Sequence, residues 1–167
     1  FTPRGGCAYN ERNRGRPLGF ADFWDVRRPR WLPGYPRETW EFDVGSINLK
    51  AFRTKHIPDS AVSWEDSFPS FGLLVDDRVL FTGDTRYDPD LVRDYGSRAK
   101  IEAVFHDCQL FPGGVHASLE EISRLPAKIK ARTRLMHYQD TWEKSIDAAA
   151  AAGFAGFAEQ NAFYVFP

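Results

Sequence analysis

The stretch Arg78-Val79-Leu80-Phe81-Thr82-Gly83-Asp84-Thr85 decides the fold. It is a short run of β-branched, aliphatic and aromatic residues that ends on a glycine and a carboxylate. A second apolar run, Phe71–Val75, precedes it across the acidic two-residue turn Asp76-Asp77. Two such runs joined by a turn of this composition predict a β-hairpin. The hairpin places Asp84 at a strand end, where rigid scaffolds present functional groups.

Further strands and helices extend from this hairpin in both directions. Alternating apolar and polar residues predict an earlier hairpin, and short apolar runs predict three later strands. The predicted strands outside the central hairpin are Trp40–Val44, Ile47–Phe52, Ile101–Phe105, Arg134–Met136 and Phe163–Phe166. Capping and stop signals predict three helices: Pro89–Tyr95 after Asp88, Ser118 to near Pro126, and Asp140 to Gly153. Hairpins followed by strand–helix alternation predict an α/β domain with helices packed on a sheet.

Composition separates residues 1–39 from residues 40–167. The first segment is basic and rich in Arg, Pro and Gly, which predicts irregular structure, while the second carries the regular patterns. The whole chain has a formal net charge of −1, so charge neither indicates nor excludes nucleic acid. Cys7 and Cys108 form no CxxC motif and predict no disulfide scaffold. This cysteine usage makes a reducing, cytoplasmic compartment the expectation. Because no apolar run approaches the roughly 18 residues of a membrane span, we expect no membrane partner.

Histidines and carboxylates follow several of the predicted strands. His56, Asp84, His106, Asp107 and His137 each follow a predicted strand, directly or within a few residues. A single histidine is most often structural, but several at strand ends, together with carboxylates, indicate a shared site. Imidazole and carboxylate together suit Zn²⁺, Fe or Mn²⁺. The residues by themselves therefore predict a metal or phosphate site.

Literal motifs in this region resemble the second half of the metallo-β-lactamase superfamily. They are Thr54-Lys55-His56-Ile57-Pro58, Gly83-Asp84-Thr85 at the end of the central hairpin, and Leu135-Met136-His137-Tyr138. The resemblance implies that residues 40–167 form the C-terminal half of an αββα sandwich, a mixed sheet with helices on its outer face. It further implies that Asp84 bridges two metal ions, with His56 as a ligand of one ion and His137 as a ligand of the other.

A second resemblance indicates the ribonuclease Z-like phosphodiesterase branch of that superfamily. Val104-Phe105-His106-Asp107-Cys108 resembles its His-Glu-Ala-Thr-Phe segment, and His116-Ala117-Ser118 resembles the His-Ser-Thr that follows. The resemblance implies that Asp107 and His116, with Asp84, are catalytic and that His106 contacts substrate. Arg86 is a further candidate contact for a substrate phosphate, because guanidinium matches phosphate oxygens in a bidentate way. The alternatives are a surface salt bridge for Arg86 and a helix N-terminal contact for His116.

The main metal motif of that superfamily, His-x-His-x-Asp-His, is absent from this sequence. His56, Asp84 and His137 cannot by themselves complete two four-coordinate sites. Three interpretations stay open: a C-terminal fragment, one subunit of a split enzyme, and a non-catalytic relative. We therefore expect ligands from outside this chain, from a missing N-terminal half, a second chain or a homo-oligomer. The chain alone is expected to be inactive, with one sheet face in need of cover.

The resemblances predict a hydrolase that breaks a phosphodiester through a metal-bound hydroxide. Two divalent ions, Zn²⁺ first with Mn²⁺ or Fe as alternatives, would lower the pKa of a bridging water to about 7. The substrate would be a phosphate-containing small molecule or a nucleic acid. The alternatives are an ester or lactone hydrolase of the same superfamily and a binding or assembly module without a complete metal site.

Overall fold

Eight strands form one sheet in which consecutive strands along the chain are neighbours. The computed structural model describes residues 19–166. Strands β1 to β5 pair antiparallel, and β5 to β8 pair parallel. The strands are β1 Arg30–Trp31, β2 Thr39–Val44, β3 Ile47–Arg53, β4 Phe71–Val75, β5 Val79–Phe81, β6 Ala103–Asp107, β7 Thr133–Met136 and β8 Gly156–Phe157. The predicted succession of hairpins and then strand–helix units is thus present as a mixed α/β arrangement. The assignment to half of an αββα sandwich stays a prediction.

The central hairpin forms, but its register differs by one residue from the prediction, because Arg78 belongs to the loop and not to the strand. Val75 pairs with Val79 across the turn, and both turn residues have positive φ, 49° for Asp76 and 54° for Asp77. The N–H of Arg78 donates to the carbonyl of Val75 at 2.9 Å, so Asp76 and Asp77 are the central residues of the turn and Arg78 is a third loop residue. Two positive φ values at the centre of a turn match the right-handed twist of the strands it joins. The Asp76 side chain also accepts a hydrogen bond from the backbone N–H of Asn48 at 2.8 Å. This contact ties the turn to β3.

Four short helices connect or follow the parallel strands: α1 Pro89–Gly96, α2 Leu119–Ile122, α3 Ala127–Lys130 and α4 Ile146–Ala152. Asp88 caps α1, and Ser118 with Glu121 forms the predicted capping box of α2. Gly153 ends α4 with a φ of 90°, as its position predicts. Two 3₁₀ turns, Phe20–Asp22 and Trp142–Ser145, complete the described elements.

Several predicted boundaries are wrong. The helix expected from Ser118 to Pro126 ends at Ile122, and the helix expected from Asp140 begins only at Ile146, after the 3₁₀ turn. Residues 163–166 form no strand, because Gly156–Phe157 already occupies the edge beside β7. Those residues instead lie across the sheet, where the rings of Tyr164 and Phe166 pack on Phe105.

The two faces of the sheet differ. On one face, apolar side chains of the strands pack against the helices in two buried clusters. The first contains Phe52, Leu74, Leu80 and Val104 with residues of α1, and the second contains Leu135 and Phe157 with residues of α2 and α4. On the other face, Phe71 is 47% exposed and Phe81 is 41% exposed. The expectation that one face needs cover therefore agrees with the exposure of its aromatic side chains.

Residues 19–39, the described part of the basic N-terminal segment, contact the rest of the fold. Arg30–Trp31 pairs with β2 as the edge strand, and Arg37 is buried beneath α1. Residues 1–18, including Cys7, lie outside the described residues. Cys108 is a free, buried thiol, and burial raises its pKa to about 12. Within residues 19–166, no helix is both long and apolar enough to cross a membrane.

Candidate functional site

Four potential ligand residues meet at the carboxyl ends of the parallel strands. Asp84 follows β5, Asp107 ends β6, His137 follows β7, and His116 precedes α2. One ligand atom from each lies within 4.8 Å of the others. The carboxyl ends of neighbouring parallel strands lie at the same end of the sheet. Residues that are far apart in sequence therefore converge there. We call these four residues the acidic–histidine cluster.

Asp107 is the buried member of the cluster, with a side chain only 1% exposed. Its Oδ2 accepts hydrogen bonds from the backbone N–H of Thr85 at 2.8 Å and from His116 Nδ1 at 2.6 Å. Its Oδ1 lies 3.2 Å from His137 Nδ1, yet the orientation does not make a hydrogen bond. A buried carboxylate oxygen without a hydrogen bond is costly, so Oδ1 is available to accept a further partner.

The two exposed members of the cluster lie close to each other. His137 Nδ1 is 3.3 Å from Asp84 Oδ1, and about half of each side chain is exposed. His137 has a φ of 61°, which is uncommon outside glycine and is often retained at functional sites. The backbone carbonyl of Asp84 accepts hydrogen bonds from Thr54 Oγ1 and Ser70 Oγ, which fix its strand end.

His56 extends the row of imidazoles beyond the cluster. Ring centroids are 4.9 Å apart for His56 and His116 and 4.5 Å apart for His116 and His137. His56 Nδ1 lies 2.8 Å from the carbonyl of Val115. A carbonyl oxygen only accepts, so Nδ1 donates and Nε2 keeps its lone pair for a ligand. This arrangement is typical of histidines that bind metals.

The two residues predicted to contact substrate, His106 and Arg86, are not members of the acidic–histidine cluster. His106 is 1% exposed and directs Nδ1 to the carbonyl of Asp107 at 2.7 Å. Burial lowers the pKa of His106, against the raising effects of Asp107. Successive strand residues point to opposite faces, so Asp107 reaches the cluster and His106 does not. Arg86 uses Nη1 to donate to the carbonyls of Asp59 and Ala61.

Sequence reasoning assigned His56, Asp84 and His137 as metal ligands and gave Asp107 and His116 another role. The structure places Asp107 and His116 in the same cluster as Asp84 and His137, with His56 beside it. A signal for this was present, because β6 and β7 are consecutive parallel strands and end at the same edge. The donor set of two carboxylates and two imidazoles suits a divalent ion such as Zn²⁺ or Mn²⁺.

Comparison with known proteins gives consistent matches across the chain. The family model described as "Anti-Pycsar protein Apyc1" matches residues 2–164. A protein named Anti-Pycsar protein Apyc1 from Paenibacillus harenae is 36% identical over 141 residues, 84% of this chain and 50% of its own length. Proteins of the same name from Bacillus phage BSP38 and Bacillus phage 010DV004 are 32% and 40% identical, each over 97% of this chain. The chain spans 58% of the length of each phage relative.

These matches correct the identification made from short motifs. The predicted membership of the metallo-β-lactamase superfamily, in its ribonuclease Z-like branch, is wrong, and so is the predicted function as a generic metal-dependent phosphodiester, ester or lactone hydrolase. The family model and the relatives identify an anti-Pycsar family instead. Short strand-end motifs such as Gly83-Asp84-Thr85 indicate a type of site, whereas a match over nearly the whole chain identifies the family.

Proposed function

Since the chain belongs to the anti-Pycsar protein Apyc1 family, we propose that the protein containing it counteracts Pycsar by degrading a cyclic nucleotide. The observation that carries the proposal is the acidic–histidine cluster, in which a buried carboxylate orients an imidazole at an exposed strand edge. Such a pair can transfer a proton to a leaving oxygen. Because the chain spans only 50% to 58% of these relatives, the activity is proposed for the whole protein.

The proposal includes two divalent metal ions, Zn²⁺ first with Mn²⁺ or Fe as alternatives, whose ligands come partly from outside this chain. The unpaired Oδ1 of buried Asp107 supports a cation at the cluster. Asp84, His137 and the free Nε2 of His56 are further donors, whereas His116 is kept for proton transfer. A bound divalent ion would supply Lewis-acid chemistry toward a phosphate oxygen.

Two side chains of this chain, Asp107 and His116, would control the proton that the leaving oxygen receives. Asp107 holds His116 through Nδ1, which leaves His116 Nε2 directed away from the carboxylate. When the phosphodiester ring opens, a ribose oxygen leaves as an alkoxide, which is a poor leaving group unless it is protonated. In the proposal His116 delivers that proton from Nε2, and Asp107 stabilises the protonated imidazole.

The first prediction tests the activity in the full-length protein. Incubation with cyclic nucleotides should produce linear nucleotides, measured by chromatography. His116→Ala should lower this turnover by about 10²- to 10⁴-fold, the usual contribution of a general acid. The same substitution should affect bis(p-nitrophenyl) phosphate much less, because nitrophenolate leaves without protonation. Asp147→Ala, on the exposed side of α4, is the matched control and should retain activity.

Two outcomes of this experiment separate the parts of the proposal. If no linear nucleotide forms from any cyclic nucleotide, the proposed activity is wrong. If cyclic nucleotides are degraded but His116→Ala slows both substrates equally, the activity stands and the proton-transfer role of His116 is refuted.

The second prediction concerns the metal ions. In the full-length protein, Asp107→Asn should lower Zn²⁺ affinity at least about 10-fold, because it removes one negative charge and an oriented oxygen. The 167-residue chain alone should bind Zn²⁺ more weakly than the full-length protein, because its ligand set is incomplete. Elemental analysis after dialysis measures both effects, with Asp147→Asn as control. Unchanged Zn²⁺ content in Asp107→Asn would exclude Asp107 as a ligand.

A further inference from the structure

A polar pocket of about 290 Å³ lies directly beside the acidic–histidine cluster. His116 lines this pocket and also belongs to the cluster, so the two spaces share a wall. Lys55 and Arg86 face the pocket from the loops after β3 and β5. Gly113 and Gly114 form another part of the wall. We call this space the Lys55 pocket.

Among residues 19–166, neither cation of the Lys55 pocket forms an ion pair with a carboxylate. Within residues 19–166, Lys55 Nζ makes no hydrogen bond or ion pair. Arg86 donates only to backbone carbonyls, which carry no net charge. Both residues are fixed at the backbone, because the carbonyl of Lys55 accepts from the Arg86 N–H at 2.6 Å and from Thr85 Oγ1 at 3.1 Å. The backbones of the two residues are therefore held side by side, and both side chains line the same pocket.

The acidic residues near the pocket are only partly free to oppose these cations. Glu121 accepts hydrogen bonds from Ser118 in the capping box of α2. Against the effect of burial, the charge of Lys55 helps to lower the pKa of Asp88, but the ion-pair partner of Asp88 is the buried Arg37. Asp59, which lines the pocket, is exposed to solvent, where water screens its charge.

Gly113 and Gly114, which form part of the pocket wall, are held in place by hydrogen bonds within the loop between Asp107 and His116. The Gln109 side chain is nearly buried and donates through Nε2 to the carbonyls of Phe111, at 2.9 Å, and Gly113. Gly113 and Gly114 have φ values of 80° and 95°, which glycine adopts without steric cost. A Cβ on Gly114 would lie 3.2 Å from Gln109 Oε1, so a side chain there would crowd the residue that holds the loop.

Building on the proposed function, we infer that the Lys55 pocket is a subsite for the phosphomonoester group of the linear nucleotide product. Hydrolytic ring opening breaks one P–O ester bond and adds one water, so a singly charged diester becomes a monoester with a charge of about −1.5 to −2 at pH 7. This extra charge arises beside His116. Lys55 and Arg86 attract this charge from the neighbouring pocket. Lys55 acts as a point charge and Arg86 as an oriented guanidinium.

The test uses the full-length protein with inorganic phosphate and linear nucleotide as inhibitors of cyclic nucleotide turnover. Lys55→Gln should raise both inhibition constants about 10-fold, because one charge-assisted contact is lost. The KM of the singly charged cyclic substrate should rise only about 2- to 3-fold. Lys55→Arg should keep inhibition near the wild-type level. Lys100→Gln, an exposed lysine that precedes β6 at the opposite end of the strand, is the matched control.

Direct titration with inorganic phosphate separates this inference from the proposed activity. Phosphate affinity that is equal in wild type and Lys55→Gln overturns the subsite, whether or not turnover is observed. Lys55-dependent phosphate binding in a protein that degrades no cyclic nucleotide overturns the proposed function and the product assignment. Lys55-dependent inhibition of an active enzyme by both inhibitors supports both proposals.

Discussion

Replacing Gly83 by alanine should destabilise the protein by about 2–5 kcal/mol and abolish activity of the full-length enzyme. Gly83 has a φ of 61°, and a Cβ there would lie 2.2 Å from the carbonyl oxygen of Phe71. The left-handed conformation costs about 1–2 kcal/mol for alanine, and relief of the backbone clash adds about 1–3 kcal/mol. Because Gly83 directly precedes Asp84, any shift that relieves the clash also moves the carboxylate of the cluster.

Gly45 is the matched control for this substitution. Its φ is 62°, almost the same as that of Gly83, but a Cβ there would meet nothing within 4 Å. Gly45→Ala should therefore cost only the conformational strain of about 1–2 kcal/mol and leave activity unchanged. Chemical denaturation measures both losses of unfolding free energy. Equal losses for the two variants would show that the close approach to Phe71 imposes no constraint.

Replacing Arg37 by methionine should lower the free energy of unfolding by about 3–5 kcal/mol, because it leaves buried carboxylates without their partner. The Arg37 side chain is 2% exposed and contacts Asp88 through Nη1 at 2.8 Å and Asp94 through Nε at 3.0 Å. Arg93→Met is the control, since Arg93 is 70% exposed and makes surface ion pairs with Asp90 and, at the longer distance of 3.8 Å, with Asp94. We expect that control to change stability by less than about 1 kcal/mol.

The effect of Arg37→Met should depend on pH. Burial raises the pKa of Asp88, but the hydrogen bond and charge of Arg37 outweigh it, so the pKa lies below its ordinary value. A lowered pKa stabilises the fold above the unfolded value of about 3.9, and this contribution is lost as pH falls through the folded value. The stability difference between wild type and Arg37→Met should therefore be largest near neutral pH and shrink in acid. A constant difference from pH 7 to pH 3 would contradict the charged pairing.

Local sequence patterns were sufficient to predict most of the strands and most of the helix caps. The acidic pair Asp76-Asp77 specified the central turn, because Asp tolerates the positive φ that such a turn requires, but it did not reveal that Arg78 would be a third loop residue. Ser118 and Glu121 specified the start of α2, and Gly153 the end of α4, through hydrogen bonds and backbone freedom within a few residues. The error at residues 163–166 has a nonlocal origin: an apolar run cannot tell whether it pairs as a strand or packs across a sheet.

The sequence by itself determined that histidines and carboxylates would stand at strand ends, since alternation and turn residues are local properties of the chain. Only the tertiary structure decided which of them meet. The parallel order β5–β6–β7 brings Asp84, Asp107 and His137 to one edge, and strand alternation turns His106 to the other face. The tertiary structure also decided that Arg37, from a segment expected to be irregular, is buried against α1. A charge is retained there only because two carboxylates distant in sequence surround it, and no local pattern encodes that pairing.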